Sequence, residues 1–326
     1  MEVLDVKKPS FFHLSITADQ SGQKLMSFLE KRLKLPSSLI HRWVRTGQIR
    51  VNGQRSKPFV RIHEKDIIRL PPFAFNLSQQ NNALENETVP NDPAENYLDI
   101  VEIWKNIIVI NKPSGISVHP GSKNDDSINS RLQYLYKNKD FIPVVAHRLD
   151  KSTSGLILAA NNWQTLQEIH EDIKNRIIQK EYLAWVHGLW KFPETLCLRN
   201  FLRKERHNNS EKIYVYNTIK DGAKEAESLI CCLKAEANRS LLQIKLITGR
   251  KHQIRAQLAA MNYPVIGDGK YGSDNETPLY LHSFRIILAD KHEAIKLPDW
   301  HGEFSVTTVP PILEKTLAMK IFPINE

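Results

Sequence analysis

Residues 77–97, LSQQNNALENETVPNDPAENY, constrain the fold most. They hold four acidic residues and no Lys or Arg, are rich in Asn, Gln and Pro, and show no apolar periodicity. Such a segment buries too little apolar surface to offset the entropy of ordering it, and so reads as an acidic flexible linker. A chain of 326 residues is long enough for a domain on each side. The expected organisation is a small domain over 1–76, the linker over 77–97 and a larger domain over 98–326. Charge follows the same division: residues 1–72 carry 14 Lys or Arg against 6 Asp or Glu, an excess of eight of the chain's net +9. A basic excess in one small domain favours a polyanionic partner, nucleic acid in particular. No apolar run reaches the ~18 residues of a membrane span, and MEVLDVKKPSFFHLSI has none of the marks of a secretory signal. The cysteines are Cys197, Cys231 and Cys232. An odd count with no C-x-x-C spacing fits a reducing cytoplasm, and the adjacent pair reads as ordinary core residues on opposite faces of a strand.

In the basic domain, SGQKLMSFLEKRL puts Leu25, Phe28, Leu29 and Leu33 on one helical face and Lys24, Lys31 and Arg32 on the other. Ser37 is placed to cap a second helix, SSLIHRWVRTG, which Gly47 would end. QIRVNG and DIIRLPP read as strands, with Asn52-Gly53 as a turn. His41, Arg42 and Arg45 share a flank of the second helix, and Arg50, Arg55 and Lys57 follow. One reading is a solvated helix face. Against it, this order of elements over residues 20–72 resembles the S4 RNA-binding domain, a small α/β unit. The resemblance implies that Arg42, Arg45, Arg50, Arg55 and Lys57 grip RNA backbone in a salt-sensitive way.

The larger domain reads mostly as strand: NIIVINKPSGISVHPG (106–121) as strand, turn, short strand and turn, then LILAA, KEYLAWVHG, EAESLICCLKAE and SLLQIKLITG. Helices are expected over 162–175 and 251–262. Strand runs with few helices between them predict an α+β domain around a mixed, mainly antiparallel sheet. There is no internal repeat and no dinucleotide- or P-loop glycine pattern.

Three constellations carry charge into this apolar background. In AHRLDKSTSGLILAA, His147, Arg148 and Asp150 abut a run that reads as a buried strand. In TGRKHQIRAQL, Arg250, His252 and Arg255 lie within six residues, and a helix from Lys251 would place the last two on one face. In QKEYLAWVHG, Lys180 and Tyr182 share one side of a strand. Singly, each has a plain explanation as a turn cap, a solvated face or a core tyrosine.

As a set they resemble the RluA family of pseudouridine synthases. The matching segments are NKPSGISVHPG (111–121), HRLDKSTSG (147–155), QKEYLAWVHG (179–188) and TGRKHQIR (248–255), with GDGKYG (267–272) and LHS (281–283) following in the family's order. With the S4-like domain in front, the resemblance is to the RluC type, a branch that modifies uridines in large-subunit (23S) ribosomal RNA. It implies cleavage of the uridine N1–C1′ bond and rejoining through C5, with no cofactor and no metal. Asp150 carries over as the catalytic carboxylate, acting as nucleophile at C1′ or as base at the sugar. Arg255 carries over as the cation that keeps it ionised, pictured as a bidentate pair. Tyr182 carries over as the aromatic that stacks on uracil and helps remove the C5 proton. The target base must leave the stack, and Arg148 carries over as the side chain filling its place. Ile254 is expected as an apolar wall, and His147, Arg250, His252 and Lys180 as further substrate-binding groups. The expected partner is ribosomal RNA, free or within a pre-50S particle, bound by a monomer that needs neither membrane nor protein partner.

The chain departs from the family's pattern at Ser152, Lys251 and Gln257, where an acidic residue, a threonine and a histidine are usual; Gln257 alters the hydrogen bonds behind the 251–262 helix. Two other readings remain. One is a non-catalytic RNA-binding or ribosome-assembly protein in which Asp150 only closes a turn. The other is a metal-dependent nuclease using His119, His147, His252 and His282, which lack close ligand spacing.

Overall fold

The computed structural model describes residues 11–33, 35–72, 74, 98–120, 126–139, 141–207, 210–272, 278–314 and 321–322. The expected linker lies outside them. The described residues form two compact units: one takes in those of 1–97 with 133–144 and 160–167, the other those of 98–132, 145–159 and 168–326.

The first unit contains strands β1 (Phe12–Ser15), β2 (Arg50–Val51), β3 (Gln54–Arg55) and β4 (Ile67–Leu70), in the order β1-β4-β2-β3, and helices α1 (Leu25–Leu33) and α2 (Ser37–Thr46). Helix α1 buries Leu25, Phe28, Leu29 and Leu33 as its spacing predicts, and α2 buries Ile40, Trp43 and Val44. His41, Arg42 and Arg45 are left exposed on α2. Gly47 ends α2 in the left-handed region at φ 74°. The N-terminal boundary differs from expectation: Pro36 is the N-cap and Ser37 the first helical residue, because Pro fixes the entry angle without a side-chain cap. Between β2 and β3, Asn52 and Gly53 both take positive φ (50° and 77°), the requirement of a type I′ hairpin turn.

The second unit is built on a twelve-stranded mixed sheet. Its strands are β5 (Asp99–Trp104), β6 (Ile107–Lys112), β7 (Val144–Val145), β8 (Ser154–Ala160), β9 (Gln179–His187), β10 (Leu196–His207), β11 (Ser210–Tyr216), β12 (Lys224–Ala235), β13 (Arg239–Leu246), β14 (Leu281–Ile287), β15 (Glu293–Ile295) and β16 (Ile321–Phe322). The main path runs β11-β10-β12-β13-β9-β14-β8-β6-β5. The pairings from β11 to β14 are antiparallel, whereas β14 runs parallel to β8. The α+β class with a mainly antiparallel sheet is therefore as expected. Helices α3 (Ile128–Leu135) and α4 (Trp163–Lys174) have residues in both units, and α5 (Gln253–Ala260) lies in the second.

The sheet sorts side chains by face. On β9, Leu183 and Trp185 pack with Leu241, Ile266 and Phe284 under residues 295–306. Alternation sends Lys180 and Tyr182 to the other face. Where β8 meets β14, Gly155 sits at φ 106°, and a Cβ there would lie 2.6 Å from Ser283 N. Only glycine lets these backbones approach so closely. The expected short strand after Lys112 is reduced to a single bridge, Ser117 to Ser127, and Gly121 lies outside the described residues. Cys197 is buried, while Cys231 and Cys232 are half-buried at a bulge of β12 and are not full core residues.

Candidate active site

One cleft of about 590 Å³ opens in the second unit, and His147, Arg148, Asp150, Lys180, Tyr182, Arg250, His252, Ile254 and Arg255 all line it. That volume suits one flipped nucleotide. Its floor is set by a turn whose Thr153 N–H donates to the Asp150 carbonyl just before β8 begins. Along the turn, Arg148 is exposed, Leu149 buried and Asp150 half-buried, so the cation and the carboxylate stand at different depths.

Arg255 projects from α5, nearly buried, and its Nη1 donates to Asp150 Oδ2 at 3.1 Å. The expected bidentate pair between these two does not form. The guanidinium instead puts Nε and Nη2 on the two oxygens of Asp268, both at 2.8 Å, and has only Nη1 to spare for Asp150. Five donors in a rigid fork serve two carboxylates on two edges. Burial opposes the Arg255 charge, but the Asp268 and Asp150 carboxylates outweigh it and hold its pKa above the ordinary arginine value. Burial likewise opposes the Asp268 charge, and the Arg255 fork with two backbone N–H groups holds that carboxyl below its usual range.

His252 differs from expectation. The helix begins at Gln253, and His252 is its N-cap, in the left-handed region at φ 51°. There its Nδ1 lies 2.8 Å from the Tyr271 hydroxyl and its Nε2 3.7 Å from Asp150 Oδ1. Burial pushes its pKa down to about 4, against the pull of Asp150.

Tyr182 is buried on β9, opposite Ile244 and Ser283 of the neighbouring strands. Burial and the Asp150 charge raise its phenol well above the ordinary value, so it is neutral at physiological pH and offers uracil a ring rather than a phenolate. Ile254 supplies a buried apolar surface. Lys180 is pushed down to about 8 by burial. Arg250 is exposed and donates through Nε to the Glu225 carbonyl. His147 accepts the Leu158 N–H on Nε2, and burial, then the Lys180 charge, drives its pKa well down; it braces β8 as a neutral ring. The four histidines of the metal reading are each engaged otherwise: His119 with Asn129, His282 with Ser154 and the Lys296 carbonyl, His147 and His252 as above.

Two supports lie in segments that carry the family resemblance, NKPSGISVHPG and GDGKYG, but no sequence pattern assigns them a role. Lys112, fully buried at the end of β6, donates to the Pro113, Ile116 and Lys151 carbonyls at 2.8, 2.8 and 3.1 Å. It ties the 112–116 turn to the residue after Asp150, and burial lowers its pKa to about 8 against the Asp150 charge. Asp268, within GDGKYG, is the other. At the departures, Gln257 takes the Ser228 hydroxyl on Oε1 and donates to Asn200 Oδ1, leaving the buried face of α5 bonded, and Lys251 pairs with Glu211 outside.

A half-buried carboxylate under a guanidinium, faced by a neutral buried tyrosine in a nucleotide-sized cleft of a mixed sheet, defines a site of the pseudouridine synthase class. Residues 106–260 match the RNA pseudouridylate synthase family. Ribosomal large subunit pseudouridine synthase C of Haemophilus influenzae is 33% identical over 291 residues, covering 84% of this chain and 85% of that protein. The protein of the same name from Escherichia coli is 32% identical over 276 residues, covering 82% of each. Two solved structures share the fold: human RNA pseudouridylate synthase domain containing 4, at TM-score 0.52 and 23% identity over 68% of this chain and 94% of that one, and domain containing 1, at 0.55 and 21% over 70% and 94%. The chain belongs to the RNA pseudouridylate synthase family and is an RNA pseudouridine synthase of the RluA type.

Proposed function

We propose that this enzyme converts uridines of large-subunit (23S) ribosomal RNA to pseudouridine, with Asp150 as the catalytic carboxylate. The observation that carries the reading is the 3.1 Å contact from Arg255 to one oxygen of Asp150, inside the cleft that also holds Tyr182. The target nucleotide leaves its stack and Arg148, exposed two residues before Asp150, fills the space. The ionised carboxylate starts the reaction, as nucleophile at C1′ or as base at the sugar. The N1–C1′ bond breaks, the uracil turns against Tyr182 and Ile254, C5 bonds to C1′, and the C5 proton is replaced by one on N1. Because burial keeps the Tyr182 phenol protonated, the base at C5 is not a resting phenolate. Lys180 and Arg250 offer cations to flanking phosphates.

The substrate class rests on the ribosomal relatives and on the exposed cations of the first unit, which we read as an S4-like RNA-binding domain over 1–76, joined by the 77–97 linker to a catalytic domain over 98–326. The same reading has the chain acting as a cytoplasmic monomer on free or partly assembled large-subunit RNA. No helix among the described residues is long and apolar enough to cross a membrane. The test is purified protein on in vitro-transcribed 23S RNA, with pseudouridine mapped by sequencing. Wild type should form it and Asp150→Asn should not; undiminished formation by the variant removes Asp150 from the mechanism.

A further inference from the structure

The turn at 268–271 touches both groups that face Asp150, although none of its own residues lines the cleft. Asp268 is fully buried, and its Oδ1 accepts the Lys270 and Tyr271 N–H groups at 3.0 and 3.1 Å, which fixes the turn. Its two oxygens also hold Nε and Nη2 of Arg255, so the remaining Nη1 is aimed by the turn rather than by Asp150. Tyr271 makes the second connection. Its ring lies under the Arg255 guanidinium, 5.3 Å from centroid to Cζ, and edge-on to the His252 ring at 5.6 Å.

The Tyr271 hydroxyl accepts the Ile213 N–H at 3.1 Å and lies 2.8 Å from His252 Nδ1, where donating its own hydrogen would leave neither group unpaired. An imidazole that accepts on Nδ1 and is kept neutral by burial carries its proton on Nε2. That N–H faces Asp150 Oδ1 from 3.7 Å, and closing by about 0.7 Å makes an ordinary hydrogen bond. The left-handed backbone of His252 agrees with this. A non-glycine residue held at positive φ carries strain that neighbouring contacts must over-determine, and such residues gather at functional sites.

We propose that Tyr271 and Asp268 are positioning residues that set the two oxygens of Asp150 apart: Asp268 directs Arg255 to Oδ2, and Tyr271, through the Nε2–H tautomer of His252, sets the orientation of Oδ1. Oδ1 has no hydrogen bond among the described residues and is the oxygen free to react. The assignment rests on Asp150 being the catalytic carboxylate. It adds a positioning layer that reaches from β11, through Ile213, to the reacting atom.

The test has two arms. In ¹⁵N-histidine NMR of the free protein, with His252→Gln to assign the signal, His252 should show the Nε2–H tautomer in wild type and a mixture in Tyr271→Phe. An Nδ1–H tautomer in wild type, or no change in the variant, overturns the proposal. In single-turnover assays on ribosomal RNA, Tyr271→Phe should slow the reaction about 10- to 100-fold with RNA affinity unchanged. In an His252→Ala background the same substitution should have almost no further effect; an equal further loss means Tyr271 does not act through His252 and also overturns it. A wild type that forms no pseudouridine defeats the functional reading, while the NMR arm, which uses no RNA, still decides this one.

Discussion

Adjacent residues of β9 lead to two buried arginine–carboxylate clusters, one on each face of the sheet, and the clusters differ in completeness. Glu181, fully buried, takes Arg285 Nη1 at 2.6 Å, Gln243 Nε2 at 2.8 Å and the Leu313 N–H at 2.8 Å. Arg285 also pairs with Glu293 and donates to the Pro310 and Pro311 carbonyls. This closes the knot over the C-terminal segment. One residue on, Tyr182 faces Asp150, whose Oδ2 has the Arg255 hydrogen bond and whose Oδ1 has no hydrogen bond among the described residues, only His252 Nε2 at 3.7 Å. A buried charge with both oxygens hydrogen-bonded holds structure in place, whereas a charge held on one side only has an atom left for chemistry.

The sharpest way to break this comparison is to neutralise one carboxylate in each cluster. Asp150→Asn should lower pseudouridine formation at least about a thousandfold and change unfolding free energy by under about 1 kcal/mol. Glu181→Gln should do the reverse: about 3 kcal/mol or more lost in urea unfolding, with kcat within about threefold in the folded protein. If Glu181→Gln silences the enzyme while leaving stability intact, the division between closed and open clusters is wrong.

The closed cluster offers a second measurement of nearly the same size. Removing one partner strands a buried charge, so Arg285→Met should cost about 3–5 kcal/mol, and Glu181→Leu with Arg285→Met together should recover most of it. Urea midpoints of the four proteins decide this, and simple additivity would mean the two side chains do not act as a pair.

This is also where the sequence reads least well. HRLD and GRKHQIR announce Asp150 and Arg255 because the residue types and spacing are local. The partners that complete them are remote: Arg255 meets Asp150 across 105 positions, and Arg285 meets Glu181 across 104. Nothing in KEYLAWVHG says that Glu181 is buried, since a lone acid on an apolar strand looks like an outward residue. Strands β8, β9, β12 and β13 show in apolar runs. The β10–β11 hairpin does not, because FLRKERH and SEKIYVY load their exposed faces with charge. The site's left-handed His252 is invisible for a different reason. A helical pattern from Lys251 is locally favourable, whereas the ring's partners, Tyr271 and Asp150, lie nineteen positions on and 102 positions back.

One histidine extends the comparison to pH. His282 is closed: Nδ1 takes the Ser154 hydroxyl and Nε2 donates to the Lys296 carbonyl, and burial brings its pKa down to about 4 from 6.5. Above pH 6.5 neither the folded nor the unfolded chain protonates it and stability is at its full value. Between 6.5 and about 4 only the unfolded chain takes the proton, so stability falls as pH falls, by up to about 3 kcal/mol from this residue. His282→Gln should start less stable at pH 7 and lose less on acidification than wild type. Equal losses between pH 7 and 4.5 would place the acid sensitivity elsewhere.

The smallest effect tests whether the rule holds in the first unit. Arg50 is half-buried and donates through Nε and Nη1 to the Gly47 and Gly53 carbonyls, which closes it around the β2–β3 turn. Arg42 and Arg45 are exposed on α2 and have no side-chain partner among the described residues. Open donors are those available to phosphate oxygens, so Arg42→Gln with Arg45→Gln should weaken RNA binding and make its log–log salt dependence shallower by about 1.5, with kcat unchanged. Arg50→Gln should leave the salt slope where it is and lower only the unfolding free energy, by about 1 kcal/mol. A slope that moves with Arg50 and stays fixed with Arg42 and Arg45 would reverse the assignment of the RNA-facing surface, because released counterions follow the cations that meet phosphate and not those occupied by backbone carbonyls.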